Sequence, residues 1–224
     1  MKKAAFFDLD GTLTTRNVWG GLIEYFVRHR IRLFTFATFV SYHYSRYGLR
    51  RLGFISERDF RSAWTKDLAR FLRGYSIEQA EEVWDWVVEE RVNELWRADT
   101  RAILREHLDA GDVVLLVSGG PFPLLKRIAR ELNVEHAIST HFEINEGRYT
   151  GRGLDPVCIE EYKAILSRQY LEECGIVVDM AASCAYADSI TDVQLLEMVG
   201  SPVAVYPDGI LEAVARERGW KIFP

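Results

Sequence analysis

No apolar run in these 224 residues is long enough to cross a bilayer. The longest apolar and aromatic stretch, LFTFATFVSYHY at 33–44, falls short of the roughly 20 residues a spanning helix needs. Cysteine is scarce: Cys158, Cys174 and Cys184 lie in the C-terminal third and form no CxxC pair. That scatter argues against a disulfide framework and points to reduced thiols in a cytoplasmic setting. Excess positive charge is missing too. With 28 Lys and Arg against 33 Asp and Glu, the formal net charge is −5, which sets aside a general nucleic-acid binder. The N-terminus has two lysines, but Asp8 and Asp10 break its apolar run, so no signal peptide is read there. Repeats, low-complexity runs and flexible linkers do not stand out either. The composition, 48% apolar and 27% charged, is that of an ordinary globular chain, long enough for a core domain with a smaller insertion.

After residue 98, strand-like and helical stretches alternate. TRAILREHLDAG reads as a helix with Thr100 as N-cap and Gly111 past its end, and DVVLLVSGG (112–120) as a buried strand entering a glycine turn. PFPLLKRIAREL (121–132) is expected to be helical, AISTHFEI (137–144) a strand, and INEGRYTGRG (144–153) a hairpin turning at Glu146-Gly147. Helix 159–175, strand 181–188, helix 189–200 and a last strand 201–208 complete the series. Such alternation predicts an α/β fold, a Rossmann-like three-layer core with a parallel sheet. Between about 15 and 97 no convincing strand appears and four helices can be drawn, two of them opening at Ser56 and Ser76. The expected division is a core of 1–14 and 98–224, with an all-helical domain, 15–97, inserted after the first strand.

Three predicted strands end in polar groups: FFDLD, LLVSGG and CAYAD. In open α/β sheets, ligands collect beyond the carboxyl ends of the strands. The strand period of two puts Asp8 and Asp10 on one face, where carboxylates 4 Å apart repel by about 4 kcal/mol at an effective dielectric of 20. A cation or a shared proton would relieve that repulsion. An isolated DxD is as often a turn or cap, but Gly11 admits close backbone approach and Thr12 adds a hydroxyl. Asp188 and Asp192, four apart at a predicted helix start, add a second acidic pair. Four carboxylates gathered at one strand edge make a hard-cation site, and oxygen-only donors favour magnesium. Ser118-Gly119-Gly120 before a helix offers a hydroxyl and backbone N–H groups to an anion, although alone this pattern is usually a turn.

FDLDGTLT, VSGG, a lysine in the helix before the fourth strand, and AYADSITD together resemble the four ordered motifs of the haloacid dehalogenase-like superfamily. The helical insertion resembles its C1 cap. GRYTGRG and VAVYPD…LEAVARERGWKIF resemble the phosphoserine phosphatase-like branch, subfamily IB. This resemblance implies a magnesium-dependent phosphatase acting on a phosphate monoester. Asp8 would be the nucleophile that becomes an aspartyl-phosphate, and Asp10 the general acid and then base. Thr12, Ser118 and the Gly119 N–H would serve phosphate binding or the loop around it. Lys163 would neutralise nucleophile and phosphate. Magnesium would be held by the Asp8 carboxylate, the Asp10 carbonyl and Asp188, with Asp192 in the outer shell. Two departures stand out: Ser189 replaces a common glycine, and Asn17 stands where phosphoserine phosphatases carry an acid for the substrate amine. The second weighs against phosphoserine. A small phosphorylated metabolite is the expected substrate, and the motifs carry no signal for an oligomer.

From Tyr25 to Ser56 there is no acid, while six arginines interleave with Phe34, Phe36, Phe39, Tyr42, Tyr44 and Tyr47. The plainer reading is a helix pair with an aromatic core and solvated arginines, and Trp64, Trp84, Trp86 and Trp96 are expected to pack within the cap. The sharper one is a basic, aromatic surface for a phospholipid-type phosphate at a membrane face. Two further alternatives are a phosphotransferase using the same intermediate and a non-catalytic module binding a lipid or partner.

Overall fold

In the computed structural model, which describes residues 2–224, the N-terminal apolar run forms β1 (Ala4–Asp8), buried along its whole length. Four α-helices of the insertion follow it: α1 (Gly20–Arg28), α2 (Leu33–Arg51), α3 (Glu57–Asp67) and α4 (Ile77–Val87). Ser56 caps α3 by accepting from the Asp59 N–H, and Ser76 forms a reciprocal capping box with Gln79 at the start of α4. α3 tightens into a 3-10 segment over Leu68–Leu72, and α4 widens into a π segment over Val88–Val92.

Next come α5 (Ala98–Asp109), β2 (Val113–Pro121), α6 (Phe122–Glu131) and β3 (His136–Thr140). Thr100 is not the cap expected of it. Arg97 occupies that position, and the Thr100 hydroxyl, inside the helix, donates to the Thr12 carbonyl at 3.0 Å. β2 continues through Ser118-Gly119-Gly120 to Pro121, so α6 begins at Phe122. AISTHFEI divides at His141. β3 stays in the main sheet, whereas β4 (Phe142–Asn145) pairs antiparallel with β5 (Arg148–Gly153) across the expected Glu146-Gly147 turn, where both residues have positive φ. β5 also joins the helical segment: the Tyr149 N–H donates to Tyr75 O at 2.9 Å, and the Gly74 N–H to Tyr149 O at 2.7 Å.

The chain closes with α7 (Glu161–Glu173), β6 (Cys184–Ala187), α8 (Val193–Glu197), β7 (Ser201–Val205), α9 (Gly209–Arg218) and β8 (Lys221–Phe223). The stretch expected as one helix at 189–200 is a 3-10 turn, Ile190–Asp192, followed by the short α8. β7 is not the last strand, because β8 adds alongside it.

β1 lies at the centre of a six-stranded sheet, order β3-β2-β1-β6-β7-β8, with every neighbouring pair parallel. Ala5 and Phe7 enter one hydrophobic cluster and Ala4 and Phe6 another, as a side-chain period of two requires. The first cluster continues without a break into the helical segment, where Phe26, Phe39, Phe71 and Trp84 are fully buried. Apolar burial of that extent, at about 25 cal/mol per Å², holds the helices firmly over the sheet edge. No helix among the described residues is long and apolar enough to cross a membrane.

Candidate active site

β1 and β6 run side by side in register, so Asp8 at the end of β1 and Asp188 just past β6 emerge at the same sheet edge. β2 flanks β1 on the other side, placing Val117 opposite Asp8 and Ser118 immediately beyond. Carboxylate oxygens of Asp8, Asp188 and Asp192 lie within 4.8 Å of one another. The buried Lys163 ammonium, carried on the first turn of α7, donates to Asp8 Oδ1 at 2.6 Å and to an Asp192 oxygen at 2.8 Å. Four residues from three remote parts of the chain thus converge on one point. Three carboxylates face one ammonium, leaving net negative charge and oxygen donors only. That donor set fits a hard divalent cation, not zinc or copper.

The excess charge shows in the protonation equilibria. Burial, with the Asp8 charge next, pushes Asp10 up to about 7. Burial, then Asp8 and Asp192, pushes Asp188 to about 8, and Asp192 rises to about 6, burial again leading. Burial alone would lower Lys163, but Asp192 and Asp8 outweigh it and hold the ammonium well above its usual range. A raised carboxyl pKa means the folded state binds the proton more tightly than the unfolded chain. The resulting stability is fully present below about pH 4 and is lost as pH rises through 7 to 8. The metal-free protein is therefore expected to melt roughly 10 °C lower at pH 8 than at pH 5, a few kcal/mol in all, with magnesium restoring most of the loss at pH 8. His136 and His141, lowered by burial, work in the opposite sense in the lower part of that range. The magnesium-sensitive part of thermal shifts read across pH isolates the carboxylates. Equal melting with and without magnesium at pH 8 would contradict this account of the cluster.

The remaining expected residues divide in two. Asp10 does not share a strand face with Asp8, because β1 stops at Asp8. Asp10 lies in the following turn, its carboxylate accepting from the Val18 N–H at 2.6 Å, and still lines the same cavity. Gly119 and Gly120 line it as well. Thr12 and Ser118 are buried beneath it: the Thr12 hydroxyl donates to Asp188 Oδ1 at 3.3 Å, and Ser118 Oγ accepts from the Gly120 N–H at 3.1 Å. Gly11 has φ +98°, and a Cβ there would overlap the Asp188 carboxylate, so glycine is needed for both conformation and space.

The cavity, about 490 Å³, is roofed by the helical segment. Asn17, Trp19, Phe60, Arg61 and Trp64 line it, and among these only Asn17 is marked by the sequence as facing substrate. Trp64 does pack as expected, 5.5 Å from Trp19 and 4.8 Å from Phe39 in edge-on geometry, yet it also faces the cavity. No motif marks the other positions. The usable signal is helical spacing within α3, which puts Phe60, Arg61 and Trp64 three and four residues apart on one side.

The family model for haloacid dehalogenase-like hydrolase matches residues 5–197. Phosphoserine phosphatase SerB1 of Mycobacterium tuberculosis is 33% identical over 225 residues, covering 98% of this chain and 70% of its own length. A Bordetella pertussis protein of unknown function has a crystal structure that superposes with a TM-score of 0.83 at 25% identity, covering 100% of this chain and 99% of that one. A substrate-bound phosphoserine phosphatase complex shares the fold at a TM-score of 0.63 and 18% identity, covering 100% and 93%. The chain belongs to the haloacid dehalogenase-like hydrolase family.

Proposed function

We propose that this hydrolase is a magnesium-dependent phosphatase that cleaves a phosphate monoester through an aspartyl-phosphate on Asp8. The observation that carries the reading is the Lys163 ammonium held between Asp8 and Asp192, with Asp188 beside them, all lining one cavity. A carboxylate approaching a phosphate dianion meets like charge, and Lys163 lowers that barrier from the protein side. Magnesium, held by the Asp8 and Asp188 carboxylates and the Asp10 carbonyl with Asp192 behind, would supply the remaining positive charge.

Asp8 attacks phosphorus as the bond to the leaving alkoxide oxygen breaks, and Asp10 gives that oxygen its proton. Asp10 then takes a proton from the water that attacks the phosphorus of the acyl phosphate, freeing Asp8 and inorganic phosphate. A carboxyl near 7 can hold the proton in the first step and accept one in the second. The Gly119 and Gly120 backbone at the end of β2, leading into α6, and the buried Ser118 shape the cradle for the phosphate oxygens. Residues 15–97 act as a cap over the core of 1–14 and 98–224, excluding bulk water and facing the leaving group.

The roof favours a small phosphorylated metabolite or phospholipid-type phosphate over phosphoserine. Asn17 offers no charge to an amine, and Glu57, the acid of α3 in the lining, is already paired with Arg50. Arg61 lines the cavity, near enough for its charge to act on Asp192, and can meet a second anionic group there. Phosphate release from an aryl phosphate and a panel of metabolite monoesters tests the reading. Turnover should require magnesium and stop with EDTA. Release that EDTA leaves unchanged, or none from any monoester at saturating magnesium, would refute it.

A further inference from the structure

We infer that the outer face of α2 is a docking surface for an anionic lipid bilayer, on which the protein rests without spanning it. α2 has 19 residues and is about 28 Å long, yet only Phe39 and His43 of it are buried. Its outward stripe runs Phe34, Ala37, Ser41, Tyr44, Gly48 and Leu52, spaced by three and four residues, and carries no charge. Phe34 is 83% exposed, Tyr44 78%, Leu52 72% and, just past the helix, Phe54 77%. Large side chains this exposed, clustered on one element, mark an interaction surface and not chance exposure.

The charges around the stripe decide what covers it. Between Tyr25 and Ser56 there are six arginines and no acid. Arg28, Arg30 and Arg32 precede α2, and Arg50 and Arg51 end it. Arg28 pairs with Glu90 and Arg50 with Glu57, while Arg30 and Arg51 have no ion pair among the described residues, so the uncharged stripe keeps an unpaired arginine at either end. That is the layout of a helix lying in a membrane interface, with apolar side chains below and arginines reaching out to lipid phosphates. A second copy of the chain fits poorly. Antiparallel pairing of two α2 helices would set each arginine end against the other, and parallel pairing would set like ends together, with no acid in the stretch to compensate.

Behind the face, α2 packs on α3, which walls the cavity. The Arg50 guanidinium lies 4.8 Å from the Tyr47 ring and 5.4 Å from that of Phe60, and pairs with Glu57. Phe60 and Glu57 both line the cavity, so the inner side of α2, opposite the docked face, packs on the helix that walls it. Docking does not rest on the catalytic reading, since adsorption is measured without turnover.

The test is co-sedimentation of the full chain with vesicles of phosphatidylcholine alone and with added phosphatidylglycerol, alongside light scattering across protein concentration. The expected result is retention on the anionic vesicles only, falling as salt rises. Phe34→Ser with Phe54→Ser should cut the partition at least tenfold. Arg30→Asn and Arg51→Gln should each cut it about fivefold. All four substituted positions lie away from the cavity, so turnover of a soluble aryl phosphate should be unchanged, which also reports that the variants fold. Equal retention on neutral vesicles, no retention on anionic ones, or a dimer that the Phe34→Ser/Phe54→Ser protein loses would each overturn the inference.

Discussion

The Asp8→Asn protein is expected to lose turnover of every phosphate monoester by a factor of about 10⁴ or more while remaining folded. An amide oxygen is too weak a nucleophile to form the covalent intermediate, and removal of such a group is limited only by the residual effect of binding. The fold should tolerate the change. The new amide keeps an oxygen for the Lys163 ammonium, which donates to Asp8 Oδ1 at 2.6 Å. The substitution also removes one of three carboxylates that repel one another within 4.8 Å. Without magnesium at pH 8 the variant should therefore melt no lower than the parent protein. A melting curve taken beside the rate separates lost chemistry from lost structure. Turnover above a hundredth of the parent value would remove Asp8 from the nucleophile's role.

Lys163→Met is expected to fail in the opposite way, in both stability and rate. Lys163, Asp8 and Asp192 are each at most 6% exposed, so removing the ammonium leaves two carboxylates buried without their partner. Breaking such a group costs about 3–5 kcal/mol, far more than the median surface ion pair. The penalty should shrink at pH 5, where Asp192, already raised to about 6, takes up a proton instead. Loss of an oriented cation at the phosphate should reduce turnover by a further factor of about 10² to 10³. Denaturant melts at pH 5 and pH 8, with rates measured where the variant is folded, check both effects. Parent-like stability at pH 8 would mean that the buried ammonium does not hold the carboxylates together.

Much of this site is legible in the sequence because its chemistry sits at strand ends. An apolar run that stops at an acid, as in AAFFD, is costly anywhere except beyond a buried strand, and three such endings imply a common edge. Lys163 is different in kind. Nothing in its spacing distinguishes it from other basic residues, and only the resemblance to an ordered set of motifs selects it. Its ion pairs span 155 and 29 residues of sequence, distances over which local pattern carries no information. The roof is hidden for a similar reason. Trp19, Phe60 and Arg61 face the cavity through the packing of one helix on another, and aromatic spacing reads the same whether the ring faces a core or a ligand.

The fold itself departs from expectation where elements are short. β8 has three residues, too few for an alternating pattern to register. AISTHFEI looks continuous because both halves are β-prone, and only their different partners, β2 for one and β5 for the other, divide it. Thr100 has the chemistry of a cap, but its hydroxyl is used by the Thr12 carbonyl, tying α5 to the loop beneath Asp188. The plainer reading of residues 25–56 is also only partly sustained. Phe39 is in the core as expected, whereas Phe34 and Tyr44 lie in the open.

The most direct measurement is an acid quench of the enzyme during turnover, followed by peptide mass spectrometry. Attack by a strand-edge carboxylate predicts a phosphoryl group on the peptide bearing Asp8. It should be labile to hydroxylamine, dependent on magnesium, and absent from the Asp8→Asn protein. Steady turnover with no phosphoryl group on that peptide, or with the label on another residue, would contradict it.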